Sequence, residues 1–125
     1  MDPEHAERLS GLMEAKARAR RMEAKAARAE AEAHARLAEA CRERAAALRE
    51  SAETDEAIAQ LEGSDFLATY ARSDARRARK QADLFELQAL RYQTSAHRAL
   101  AEASRAESEA TTALAKGERA TALSH

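Results

Sequence analysis

A row of small and apolar residues runs along the second half of the chain in alternating steps of three and four. It starts at Ala68 and passes Ala71, Ala75, Ala78, Ala82, Phe85, Ala89, Tyr92, Ala96, Ala99, Ala103, Ala106, Ala110, Ala113 and Gly117 to Ala120. None of these sixteen positions is charged, in a chain whose charged residues make up 34%. A period of 3.5 residues is that of a helix presenting one face to another helix, here with Ala where Leu is usual. The row predicts a packing seam centred on Ala89, Ala96, Ala99, Ala103, Ala106, Ala110 and Ala113. Small seam residues let two helices approach toward the short end of the roughly 8–10 Å range.

The first half carries a less regular row, Leu12, Ala15, Ala19, Met22, Ala26, Ala29 and Ala33, which then shifts to Leu37, Cys41, Ala45, Leu48 and Ala52. Consecutive steps of four predict a stutter, which relaxes a supercoil locally. The MEAKA stretches at 13–17 and 22–26 are nine residues apart, a spacing that fits neither coiled-coil period, and read as low complexity.

Breakers are few. Pro3 suits a first helical position, with Asp2 as its cap. Gly11 only softens the first turns, and Ser51-Ala52-Glu53-Thr54-Asp55 offers one weak place for a kink. Gly63-Ser64-Asp65 is the turn signal: Gly63 suits a left-handed position after a helix, and Ser64 or Asp65 can cap the next one. The pattern therefore predicts an all-α fold, a long antiparallel two-helix coiled-coil hairpin with an Ala-rich seam. It makes 1–125 a single domain, with helix 1 over about 3–62, a turn at 63–65 and helix 2 over about 66–120, fraying beyond Gly117.

Composition agrees. Thirty-five residues are Ala and twelve are Leu, against one Ile and no Val or Trp. Ala is the best helix former and a poor strand former. It also buries little area, so the core is thin, and a homodimer is one form such a chain can take.

A hairpin turning at 63–65 sets opposite one another residues whose numbers sum to about 127. That register pairs Lys25 with Glu102, Arg20 with Glu107, Arg18 with Glu109, Arg44 with Asp83 and Arg72 with Asp55, while Arg36 meets Arg91. Phe85 and Tyr92 fall opposite Ala35, Ala38 and Ala40, which leave them room.

The net charge of −1 disfavours a nucleic-acid binder of the basic kind. No apolar run of about 18 residues could span a membrane, and the opening MDPEHAERLSGLMEAKARAR lacks a secretory core. The lone Cys41 reads as a small buried residue in a reducing compartment, so the expected location is cytoplasmic.

Candidate chemistry is sparse. The histidines at 5, 34, 97 and 125 offer only Glu30/His34 at helical spacing, with no Glu-x-x-His pair. No phosphate loop, Cys-x-x-Cys or nucleophile elbow occurs. The sequence thus predicts no catalytic residue, no metal site and no cofactor. Tyr70-Ala71-Arg72-Ser73-Asp74 fits the Y-x-x-x-D pattern of some secreted hairpins, but it follows the turn directly and lacks their Trp-x-Gly.

Two basic stretches remain, Lys16, Arg18, Arg20, Arg21, Lys25, Arg28 and Arg72, Arg76, Arg77, Arg79, Lys80. An acidic one holds Glu50, Glu53, Asp55, Glu56, Glu62 and Asp65. Each basic stretch can answer acids on the other arm, or it can dock a partner. Arg21 and Arg28 have no partner in the assumed register and are the predicted docking residues.

A charged, Ala- and Arg-rich two-helix hairpin of this length resembles the FliJ/YscO group of type III export proteins. The resemblance covers most of the chain by architecture and composition, and no residue motif is carried over from it. It implies a stalk or escort with protein partners, a secretion ATPase or chaperones. Two other readings stay open: a generic structural or adaptor coiled coil, and a stress-protective helical protein, which would favour an 11-residue period.

Overall fold

In the computed structural model, which describes residues 2–61, 63 and 65–124, the protein is an all-α hairpin. Helix α1 spans Pro3–Leu61 and α2 spans Asp65–Ser124, and the two pack against each other. Ala6 N donates to the Asp2 carbonyl at 2.9 Å, so Asp2 precedes the first helical turn and Pro3 opens it. Helix α1 continues unbroken through 51–55, where Thr54 Oγ1 donates to the Glu50 carbonyl.

Three boundary expectations change. Gly63 does not have a positive φ, so the left-handed position assigned to it is not used. Asp65 is the first helical residue of α2 rather than a cap outside it. There its carboxylate faces the positive end of the helix dipole. The proposed cap Ser64 lies outside the described residues, as does Glu62. At the other end α2 does not fray at Gly117 but continues to Ser124, with Thr121 Oγ1 bonded back to the Gly117 carbonyl and Ser124 Oγ to that of Thr121.

The chain divides into two compact units. One joins α1 up to Ala33 to α2 from Ala96; the other is His34–Ser95 and contains the turn. In the terminal unit Ala17 packs on Ala110 and Ala113, Ala24 on Ala103 and Ala106, and Ala31 on Ala96 and Ala99. In the turn unit Ala38 and Cys41 pack on Ala89, Ala52 on Ala75 and Ala78, and Ala59 on Ala68 and Ala71. Within each unit, seven residues forward on α1 are answered by seven residues back on α2. That is a heptad hairpin.

Every α2 row position from Ala68 to Ala120 is buried except Phe85 and Tyr92, which are half-buried against Ala38, Cys41 and Ala89. The α1 row differs from the sequence reading. Leu12, Ala15, Ala19, Met22, Ala26, Ala29, Ala33 and Leu37 are all exposed, Leu12 at 62% and Met22 at 71%. The seam of α1 instead runs through Ala6, Ser10, Met13, Ala17, Arg20, Ala24, Ala27 and Ala31 in the terminal unit. In the turn unit it uses His34, Ala38, Cys41, Ala45, Leu48, Ala52, Asp55 and Ala59. This spacing is a regular alternation of three and four, with no stutter.

The physical reason is that Ala fills several faces of α1, so absence of charge does not single out the buried one. The true seam contains Arg20 and His34, whose stems can lie in the interface while their polar ends reach outward or stack. His34 stacks on Tyr92 with ring centroids 6.1 Å apart and an interplanar angle of 25°.

Candidate functional site

The seam leaves an inverted surface. Every buried apolar side chain among the described residues is Ala, apart from Cys41. Thirteen large apolar side chains are exposed. Ala packs the two helices closely, but this places most of the larger hydrocarbon where only another molecule can cover it.

The charged side chains are ordered by flank. In the turn unit Arg42 Nη2 donates to Gln93 Oε1 at 2.9 Å and Arg49 Nε to Glu86 Oε1 at 3.1 Å. Arg79 there grips Glu56 through Nε and Nη2 at 2.9–3.0 Å. These three rungs recur every seven residues along both helices, so they share one flank. Arg49 also reaches Asp83 at 2.9 Å. The hydrogen bond to Asp83, then that to Glu86, raises the Arg49 pKa above its ordinary value. In the terminal unit Arg28 pairs with Glu107. Arg20 pairs with Glu23, and its Nε approaches Glu109 Oε2 at 2.8 Å without the alignment of a hydrogen bond. The hydrogen bond to Glu23 is the main reason the Arg20 pKa is raised.

None of the ion pairs drawn from the register in the sequence appears among these cross-helix pairs. Arg20 meets Glu109 rather than Glu107, Asp83 is held by Arg49 rather than Arg44, and Glu56 rather than Asp55 meets the basic stretch of α2. Arg44 instead lies over the Phe85 ring, 5.4 Å from its centroid. The register was right for the seam and wrong for its flank. Side chains tilt toward the N-terminus of their own helix. In an antiparallel pair that tilt carries an α1 arginine toward higher-numbered residues of α2, and an α2 carboxylate toward higher-numbered residues of α1.

This geometry separates the two predicted docking residues. Arg28 is not unpartnered, because Glu107 answers it. Arg21 is exposed and forms no ion pair among the described residues, and the same holds for Lys16, Arg18 and Lys25. Beside them, Glu23, Glu30, Glu102 and Glu109 line an open groove of about 580 Å³ with Arg20 and Arg105. In the second basic stretch Arg79 and Arg77 are engaged by Glu56 and Asp74.

No protein family, curated protein or solved structure matches this chain.

The hairpin's functional reading therefore rests on its surface. Among the described residues no three His, Cys, Asp or Glu side chains gather as metal ligands, and no helix is long and apolar enough to cross a membrane. The fourth histidine, His125, lies outside those residues. The surface that sequence reasoning missed is apolar: Leu84 and Leu87 border a hollow of about 540 Å³ with Gln88, Arg91, Tyr92 and Ser95. Its signal was legible, since Leu84, Leu87 and Leu90 all fall off the seam row.

Proposed function

We propose that this chain is a non-enzymatic coiled-coil protein-interaction module. The observation that carries the reading is the inversion of its hydrocarbon, with alanines in the seam and thirteen large apolar side chains outside. A hairpin that stabilised only itself would gain more by burying those leucines, at about 25 cal/mol per Å² of apolar surface. Exposed large apolar side chains and unpaired cations are both features of a surface awaiting a protein partner.

Within that reading, the hairpin serves in the cytoplasm as the stalk or escort of a type III secretion export ATPase. The support is its likeness in architecture and composition to the FliJ/YscO group. The docking surface is the cation group Arg18, Arg21 and Lys25, which steers the hairpin toward an acidic partner.

The experiment is a pull-down with the export ATPase of the same organism at low and high salt. Retention at low salt, lost in an Arg18→Glu/Arg21→Glu variant of unchanged helicity, supports the stalk. No retention of the parent at either salt removes the stalk and leaves the generic adaptor.

A further inference from the structure

We infer that a second copy of this chain docks on one flank of the turn unit, forming a two-fold antiparallel four-helix assembly. The two flanks of that unit differ in kind. One is closed by the rungs Arg42–Gln93, Arg49–Glu86 and Arg79–Glu56. Heptad geometry places a different row on the opposite flank of α1, from Leu37 through Ala40, Ala47, Ser51 and Ile58 to Leu61. The only charge in this row is Arg44, which is already engaged over Phe85. On α2 the same flank carries Leu67, Tyr70 and Leu84, with Leu87 at its border, interspersed with Arg91 and with Asp74 and Arg77, which pair with each other.

The large members of this flank are exposed, Leu61 at 87% and Leu84 at 66%. Together the seven exposed large apolar residues at 37, 58, 61, 67, 70, 84 and 87 present on the order of 700 Å² per copy, close to the roughly 800 Å² each partner contributes to a specific interface.

The order of residues along α1 selects the occupant. Its flank row is apolar at both ends with Ala47 and Ser51 at its centre, and apart from Arg44, which falls opposite Thr54, it matches in both directions. An isologous contact requires that property, because each copy must present the same patch to the other. With the axis between Ala47 and Ser51, Leu37 of one copy meets Leu61 of the other and Ala40 meets Ile58. The small central residues let the two α1 helices approach closely. A heterologous contact through the outer face of α2 would need no such symmetry.

The test is sedimentation velocity of the full chain across the micromolar range, with helicity followed by circular dichroism. The parent is expected to be a dimer. Leu61→Glu/Leu84→Glu places four charges in the interface and should raise the dissociation constant at least about 100-fold while leaving the monomer helical. Leu12→Glu/Met22→Glu, in the terminal unit, should leave it unchanged. Ser51→Cys in a Cys41→Ala background should link the chains through a short bifunctional thiol reagent, because residue 51 lies about two residues from the axis in both copies. A parent that stays monomeric overturns the proposal. So does a dimer indifferent to Leu61→Glu/Leu84→Glu, or one in which Ser51→Cys does not link the chains.

Discussion

Ala103 gives the most direct test of the seam. Its side chain is buried against Ala24 and Ala106, with Ala27 partly buried beside them. Leu at this position adds three carbons where the facing atoms belong to α1 itself, so the helices must separate or the new side chain must leave its preferred rotamer. Overpacking of this kind costs about 1–3 kcal/mol. For a chain of this size that corresponds to a fall in Tm of about 4–15 °C. The control is Ala101→Leu, two residues away on the same helix but exposed. It changes helix propensity by only a few tenths of a kcal/mol, roughly 0.2, and should move Tm by less than the measurement's scatter. Thermal melts by far-ultraviolet circular dichroism, at a concentration where the association state of all three proteins is the same, read both. If Ala103→Leu melts at or above the parent temperature, the seam assignment is wrong. If both variants fall equally, the loss is not one of packing.

Two glycines separate propensity from packing. An added Cβ at Gly11 meets nothing within 4 Å, so Gly11→Ala should gain up to about 1 kcal/mol. At Gly117 it would lie 3.2 Å from Met13 Cβ and 3.5 Å from Ser10 Cα, so crowding should offset most of that gain; equal stabilisation by both substitutions, measured by urea unfolding, would contradict the close approach. Cysteines at Arg28 and Glu107, with Cys41→Ala, should crosslink within one chain through a short reagent, and linkage only between chains would refute the hairpin pairing of the terminal unit. A double-mutant cycle on Arg79→Ala and Glu56→Ala should give a coupling of roughly 0.2–1 kcal/mol that fades in high salt, because the pair is partly exposed.

The α2 seam could be read from the sequence because every one of its positions excludes charge, and even Phe85 and Tyr92 keep the period. The α1 seam could not, since its register is set by what faces it. Arg20 and His34 look disqualifying when α1 is read alone and are acceptable only once Glu109 and Tyr92 are in place. In the C-terminal part of α1 fewer alternative rows are free of charge, and there Cys41, Ala45, Leu48 and Ala52 were placed correctly. The ion pairs were misassigned for a different cause. A list of facing numbers locates backbones, while arginine and glutamate meet where their tilted side chains arrive. Of the two docking candidates, Arg21 keeps a free guanidinium and Arg28 does not, a distinction that needed Glu107 to be positioned first.

A seam made almost wholly of one residue type carries little positional information. Sliding α2 by seven residues against α1 in the terminal unit would still set alanine against alanine, since Ala96, Ala103 and Ala110 are interchangeable at the contact. The hydrocarbon interior thus holds the helices together without specifying where they stop. The specification comes from the few residues that are not alanine. Such a slide would move Arg28 from Glu107 to Leu100 or Leu114. In the turn unit it would lift Phe85 and Tyr92 out of the recess beside Ala38 and Cys41. Adhesion and alignment are therefore supplied by different atoms, so in the terminal unit an agent that acts on charges alone, such as salt, can loosen the second while leaving the first intact, whereas in the turn unit Phe85 and Tyr92 keep the register.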